Sequence, residues 1–67
     1  MTKKEVEQLN GKFGEIAFNG IFYPSKVSGF IREVEGNKVR IERLEGNDIW
    51  VRYDGLKFTP RRLKICL

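Results

Sequence analysis

The amino-acid sequence predicts a single, mostly β domain: a short N-terminal helix and its cap over residues 1–11, then a small antiparallel barrel of five or six short strands over residues 12–67. Two observations lead to this prediction. After Gly11, apolar residues alternate with polar ones at the period of a half-buried strand. Glycine-containing turn signals recur at short intervals, which leaves strands of roughly six to eight residues. A closed barrel removes exposed sheet edges, and an open meander is the alternative.

The helix is predicted at the start of the chain. Thr2, followed three residues later by Glu5, fits a capping box, in which each residue's side chain accepts a hydrogen bond from the backbone of the other. Val6 and Leu9 lie three residues apart, on one face of the helix. Asn10-Gly11 is a natural helix stop. The sequence therefore predicts about two helical turns that pack on the sheet through Val6 and Leu9.

The first strand is predicted over Phe13 to Phe18. Asn19-Gly20 favours a tight hairpin turn, because both residues tolerate the positive φ that a type I′ turn requires. The return strand is expected to begin at Ile21 to Tyr23. Pro24 has no N–H and marks an edge, a bulge or a break. The chain is expected to continue as a strand over Lys26 to Glu35.

An approximate internal sequence repeat predicts the turns of the second half of the chain. The segment REVEGN at residues 32–37 recurs approximately as ERLEGN at residues 42–47. Both EGN units are interpreted as turns between strands, and two coincidental hairpin turns would give the same topology. A further hairpin signal, Asp54-Gly55, is expected to join a strand over Asp48 to Tyr53 with a short strand over Leu56 to Thr59.

Period-two alternation assigns the two faces of these strands. The expected core residues are Val39, Ile41, Ile49, Val51, Tyr53, Leu56, Phe58, Leu63 and Ile65. The opposite, charged face carries Lys38, Arg40, Glu42, Trp50, Arg52, Lys57, Arg62 and Lys64. Trp50 on this face has two interpretations: an exposed stacking platform flanked by arginine, or a partly buried side chain beneath the helix or at a barrel end.

Three stretches of the sequence contain short motifs that are informative when taken together. Residues 59–65 (TPRRLKI) suggest a short helical turn leading into a last strand. Residues 17–27 contain an alanine strand, a tight turn, an aromatic pair and a valine strand. Residues 51–55 (VRYDG) form a hydrophobic-x-tyrosine-aspartate-glycine corner. The combination, over roughly residues 13–65, resembles Src-homology-3-like barrels, particularly the Tudor and KOW groups.

The resemblance implies a fold first and a site second. Tudor domains bind methylated lysine or arginine in an aromatic cage, and the matching stretches place Phe18, Tyr23 and Tyr53 at cage-like positions. The same residues would also serve as core and barrel-end packing. The chain between Lys26 and Trp50 departs from the minimal Tudor pattern, because it contains one more EGN-type turn.

Composition points away from catalysis. The chain has no histidine, which removes the usual general base and the commonest zinc ligand, and Cys66 is its only cysteine. It contains no glycine-rich phosphate loop or nucleophile elbow. Its acidic residues between positions 33 and 45 alternate with basic ones, which favours cross-strand ion pairing. A chain of 67 residues can hardly spare core volume for a deep pocket. We therefore predict a non-catalytic module with no cofactor and no metal.

The N-terminal segment MTKKEVEQLNG carries charges throughout and has no apolar run. It resembles neither a signal peptide nor a membrane span, so no membrane partner is predicted. A cytoplasmic location is the default expectation.

Charge distribution is the main functional clue in the sequence. Residues 1–50 hold eight Lys/Arg and eight Asp/Glu, whereas residues 51–67 hold five Lys/Arg and one Asp, so the whole net charge of +4 lies in the C-terminal quarter. A localised basic excess beside aromatic residues is typical of nucleic-acid binding, although a net charge of this size is also ordinary for a small domain. The predicted nucleic-acid-binding residues are Arg40, Trp50, Arg52, Lys57, Arg61, Arg62 and Lys64.

A protein-interaction module is the competing prediction. Exposed aromatic side chains or an open strand edge could bind a partner protein or a second copy of the chain. The candidate residues for this role are Phe22, Tyr23, Phe30 and Trp50.

Overall fold

The computed structural model describes residues 1–19 and 25–63, and these form one helix and one antiparallel sheet. In chain order the elements are α1 (Lys3–Gln8), β1 (Phe13–Ala17), β2 (Lys26–Glu35), β3 (Lys38–Arg43), β4 (Ile49–Arg52) and β5 (Lys57–Pro60). The sheet has five strands in the order β4-β3-β2-β1-β5. The mostly β fold class is therefore confirmed. The expected return strand at Ile21 to Tyr23 and the break at Pro24 lie outside the described residues.

Helix α1 has the predicted capping box. The Glu5 backbone N–H donates to Thr2 Oγ1 at 3.2 Å, and the Thr2 N–H donates to Glu5 Oε1 at 3.0 Å. The hydrogen bond that the Glu5 carboxylate accepts from the Thr2 backbone lowers the pKa of Glu5 below its ordinary value, and the Thr2 side chain adds to this effect. Val6 is fully buried and Leu9 packs against the core, as predicted. The helix packs against β2. None of the described helices is long and apolar enough to cross a membrane.

The two EGN units form turns of different lengths. The first gives a tight hairpin between β2 and β3, with Gly36 at φ +63°, a conformation that only glycine adopts readily. The second lies in the longer connection between Arg43 and Ile49, where Gly46 has φ +97°. Both predicted turns are confirmed.

The predicted hairpin between the last two strands is wrong. A turn does form at Asp54-Gly55, where the Leu56 N–H donates to the Tyr53 carbonyl at 3.2 Å. Neither turn residue has the positive φ of a primed hairpin turn, so the chain does not return along β4. Leu56, only 3% exposed, is buried in the core. Strand β5 then pairs with β1 at the opposite edge of the sheet.

Gly14 of β1 allows β5 to approach closely enough to pair with β1. Ile16 is paired with Phe58 and Gly14 with Pro60, and beyond the strand the Arg61 N–H donates to the Phe13 carbonyl at 3.2 Å. A Cβ atom on Gly14 would lie 2.6 Å from Phe58 Cζ. Strand β1 thus has no side chain at the point where the Phe58 ring packs.

The core contains most of the residues that alternation predicted. The buried apolar residues are Val6, Ile16, Phe18, Ile31, Val39, Ile41, Ile49, Val51 and Leu56. Tyr53 and Phe58 are half-buried and pack against this cluster. Leu63 is a correction: its side chain is 45% exposed because β5 ends at Pro60 and no strand directs Leu63 inward. Ile65 lies outside the described residues.

Candidate nucleic-acid interface

Trp50 lies on the outer, charged face of the sheet. Its Cα partner on β3 is Arg40, and two residues further along, Arg52 is paired with Lys38. Trp50 is 41% exposed, so the interpretation of an exposed aromatic on a charged face is confirmed and that of a Trp covered by the helix is wrong. Helix α1 packs against β2 instead. We call Lys38, Trp50 and Arg52 the Trp50 surface.

The Trp50 surface brings two like charges into direct opposition. The Tyr53 N–H donates to the Asn37 carbonyl at 3.4 Å, which makes residues 37 and 53 a hydrogen-bonded pair. The next pair, Lys38 and Arg52, is therefore a non-hydrogen-bonded one, in which side chains approach most closely. Like charges directly opposite one another destabilise a sheet. The sheet therefore tolerates an unfavourable pair beside its only exposed aromatic residue among those described.

Among the described residues, only one of these two cations, Arg52, forms an ion pair. Arg52 Nη2 lies 3.0 Å from Asp54 Oδ2, an ion pair in which both side chains are largely exposed to solvent. Glu35 is the Cα partner of Lys38 on β2, yet within residues 1–19 and 25–63 Lys38 forms no ion pair. Glu35, Lys38 and Trp50 line a shallow depression of about 400 Å³. A positive charge is thus available beside an exposed indole ring and an open depression.

Arg40 has a different environment from the one that phosphate binding requires. The register between β2 and β3 shifts between Ile31 and Val34, a β-bulge that places both Arg32 and Glu33 opposite Arg40. Arg40 Nε and Nη2 donate to the two Glu33 carboxylate oxygens at 2.7 and 2.8 Å, and Nη1 donates to Asp48. These ion pairs raise the pKa of Arg40 and lower that of Glu33. Arg40, on the strand next to Trp50, is therefore engaged with two carboxylates.

Phe30 also lies on the outer face, but its ring is partly covered. The Phe13 and Phe30 rings are 5.1 Å apart between centroids, with an interplanar angle of 55°. Arg32 Cζ lies 4.9 Å from the Phe30 ring centroid and also pairs with Glu42 at 3.2 Å. Among the predicted protein-interaction residues, Trp50 is thus the open aromatic in the described chain. Phe22 and Tyr23 lie outside the described residues.

The remaining predicted basic residues form a second group. Lys57 is on β5, and Arg61 and Arg62 follow that strand as exposed residues. Strands β3, β2 and β1 lie between β4 and β5 in the sheet. The structure therefore does not place this group on a strand next to the Trp50 surface. Lys64 lies outside the described residues.

The sequence did not identify Lys38 as a site residue, although alternation placed it on the correct face. Its role depends on its pairing with Arg52, and that register depends on the length of the loop between β3 and β4. Of the cage positions implied by the Tudor resemblance, Tyr23 lies outside the described residues, Phe18 is buried and Tyr53 is half-buried. Phe18 is 6% exposed and belongs to the core, and the Tyr53 hydroxyl donates to the Gly36 carbonyl at 3.4 Å.

Comparison with known proteins adds no relative. The chain matches no protein-family model, no curated protein and no solved structure at a significant level. Across the two described ranges, no three His, Cys, Asp or Glu side chains are grouped so as to hold a metal ion.

Proposed function

We propose that the chain is a non-catalytic module that binds single-stranded nucleic acid through the Trp50 surface. The observation that carries the proposal is the exposed Trp50 beside the opposed cations Lys38 and Arg52. In the bound state, a base stacks on the indole ring and the two cations contact the flanking phosphates. A phosphate between Lys38 and Arg52 would turn their mutual repulsion into attraction for a shared anion.

The second basic group contributes at longer range. Lys57, Arg61 and Arg62 lie on β5 and just after it, where they add positive charge, and among residues 1–19 and 25–63 the one exposed aromatic residue is Trp50 on β4. Such charges attract a polyanion and release condensed counterions when they contact phosphates, which makes affinity depend steeply on salt. We assign base stacking to the Trp50 surface and part of the electrostatic attraction to this second group.

We further propose that the sheet curls into an Src-homology-3-like barrel. The support is the dual role of β2, which pairs with β1 through residues 26–30 and with β3 through residues 29–35. Its bulge adds local twist and bending. Ile16 near one edge and Ile49 on the other edge strand belong to one buried cluster, an arrangement that favours a strongly curved sheet. In such a partly open barrel β4 and β5 remain unpaired edges, and nuclear Overhauser contacts between the side chains of Ile16 and Ile49 would test the curvature.

A fluorescence titration tests nucleic-acid binding directly, because Trp50 is the only tryptophan of the chain. We expect oligothymidylate and oligouridylate to quench Trp50 emission, and a blunt duplex of the same length to quench it much less. The apparent affinity should fall as salt rises, with a slope of about 0.7 per phosphate contact on a log–log plot. Unchanged Trp50 emission at saturating oligonucleotide would contradict the stacking proposal.

Matched variants separate the site from general charge. Trp50→Ala removes the stacking platform, and we expect about 1–3 kcal/mol weaker binding in an anisotropy assay with a labelled oligonucleotide. Lys38→Ala and Lys4→Ala each remove one positive charge, but Lys4 is on the exposed part of α1. Lys38→Ala should lower both the affinity and the salt slope, whereas Lys4→Ala should change them little. Equal effects of the two lysine variants would refute a localised site.

A protein partner is the second candidate, favoured by the position of β4 at an edge of the sheet. Its open backbone groups and the exposed Trp50 could accept an added strand. The fluorescence titration distinguishes the two functions, because a protein-binding edge would not respond to an oligonucleotide.

A further inference from the structure

The outer edge of β4 carries backbone groups that no described strand pairs. In an antiparallel ladder, alternate residues direct their N–H and C=O groups to opposite sides. The hydrogen bond from the Tyr53 N–H to the Asn37 carbonyl shows which residues of β4 direct their backbone groups towards β3. By this alternation, Val51 and Ile49 form hydrogen bonds with β3. Trp50 and Arg52 consequently direct their N–H and C=O groups away from the sheet.

The two edges of the sheet differ in their protection against pairing. Strand β5 begins with Lys57 and ends with Pro60, which has no N–H to donate. Strand β4, with the sequence IWVR, contains no proline, glycine or lysine and has regular pairing with β3. Of these two edges, β4 is therefore the one suited to accept a further strand.

We propose that the partner of this edge is β4 of a second copy, paired antiparallel about a two-fold axis at Trp50. In this register Trp50 lies opposite Trp50 of the second copy, and Asp48 lies opposite Arg52. The two Trp50 residues can exchange both N–H···O bonds because their backbone groups face outward, and Asp48 and Arg52 would do the same when the paired strand extends by one residue beyond Ile49. On the inner face, Ile49 lies opposite Val51, which pairs two β-branched residues.

Charge complementarity supports a second copy of the chain as the partner of this edge. The Asp48 carboxylate binds Arg40, the residue opposite Trp50, so it lies on the same outer face as Trp50 and Arg52. The two-fold axis creates two Asp48–Arg52 pairs, one on each side of the paired tryptophans. Acid and base directly opposite one another stabilise an antiparallel pair. The edge is thus self-complementary in charge as well as in backbone hydrogen bonding.

Neighbouring registers are less favourable. A shift of two residues in one direction places Asp48 opposite Asp54 of the second copy and Arg52 opposite Trp50. A shift in the other direction places Arg52 opposite Gly46. The first adds like-charge pairs and the second leaves both arginines without a carboxylate. Of these three registers, only the one centred on Trp50 places each Arg52 opposite a carboxylate.

The contact is small, so we expect weak self-association, with a dissociation constant of about 10 μM to 1 mM. Sedimentation equilibrium of the full chain, without nucleic acid, measures it over a concentration series that spans this range. Wild type should change from monomer to dimer. The inference does not rest on the proposed nucleic-acid binding, and the absence of oligonucleotide from this experiment keeps the two outcomes separate.

A charge-swap experiment tests the register. Asp48→Arg places arginine opposite arginine at both pairs, and Arg52→Asp places aspartate opposite aspartate. Each variant alone should dimerise about tenfold or more weakly than wild type. An equimolar mixture of the two variants should form a heterodimer, because each mixed pair again joins an acid and a base. The double variant Asp48→Arg/Arg52→Asp should likewise recover the homodimer.

Controls make each result decisive. Glu7→Arg makes the same charge change on the exposed part of α1 and should leave dimerisation unchanged. If Asp48→Arg fails to fold by circular dichroism, the neutral variants Asp48→Asn and Arg52→Gln should each weaken the dimer. A wild-type chain that stays monomeric at millimolar concentration refutes the proposal. So do assemblies larger than a dimer, which would indicate pairing between different edges, and a mixture that fails to recover association.

Discussion

Replacing Gly14 with alanine should push β5 away from β1 and destabilise the domain. Gly14 lies in the middle of β1 and is paired with Gly29 on one side and Pro60 on the other. A Cβ atom at this position would meet the Thr59 carbonyl oxygen and lie 2.6 Å from Phe58 Cζ. The Phe58 ring can rotate, but the Thr59 backbone belongs to the ladder between β1 and β5. The collision is therefore relieved only if β5 moves outward.

The structure sets the size of this effect. Carbon atoms in ordinary contact are about 3.5–4.0 Å apart, so the new methyl group overlaps Phe58 by about 1 Å. Overpacking of this kind costs about 1–3 kcal/mol. The lower entropy of the unfolded alanine chain offsets about 0.4–1 kcal/mol of that destabilisation. We expect Gly14→Ala to lower the free energy of unfolding by about 1–2 kcal/mol and the melting temperature by about 5–15 °C.

Gly55→Ala is the matched control. A Cβ atom on Gly55 would lie 3.4 Å from Asn19 Nδ2, an ordinary contact, and the residue has no positive φ. Only the unfolded-state effect remains, so this variant should equal wild type or exceed it by about 0.4–1 kcal/mol. Urea denaturation followed by circular dichroism measures both variants. Equal stabilities for Gly14→Ala and Gly55→Ala would refute the pairing of β5 with β1.

Two further predictions concern local ion pairs and caps. Arg40→Ala should raise the pKa of Glu33 towards its ordinary value of 4.5, as measured by NMR titration of the carboxyl carbon. Because the pKa of Glu33 is depressed in the folded state, the stability gained from Arg40 is present above that ordinary value and is lost as pH falls through the folded pKa; a destabilisation that grew in acid would contradict this sign. Thr2→Ala should remove the cap of α1, destabilise the domain by about 1 kcal/mol and raise the pKa of Glu5, whereas the Thr2→Ser variant should retain both properties.

Some of the candidate site could be predicted from alternation and some could not. The period-two pattern places Trp50, Arg52 and Lys38 on one charged face, and the structure confirms that assignment. Alternation says nothing about which residue of a neighbouring strand lies opposite. The pairing of Arg52 with Lys38 and the capture of Arg40 by two carboxylates depend on loop length and on the bulge in β2.

The local features of this protein follow from neighbouring residues in the chain. The capping box of α1 and the turn at Gly36 depend on residues within a few positions of one another, so their hydrogen bonds and backbone angles follow from local chemistry. The partner of β5 and the exposure of Leu63, in contrast, depend on how the elements pack in three dimensions. The turn at Asp54-Gly55 can lead either back along β4 or across the core. Burial of Leu56 and the space at Gly14 select the second path, and both are properties of the packed molecule.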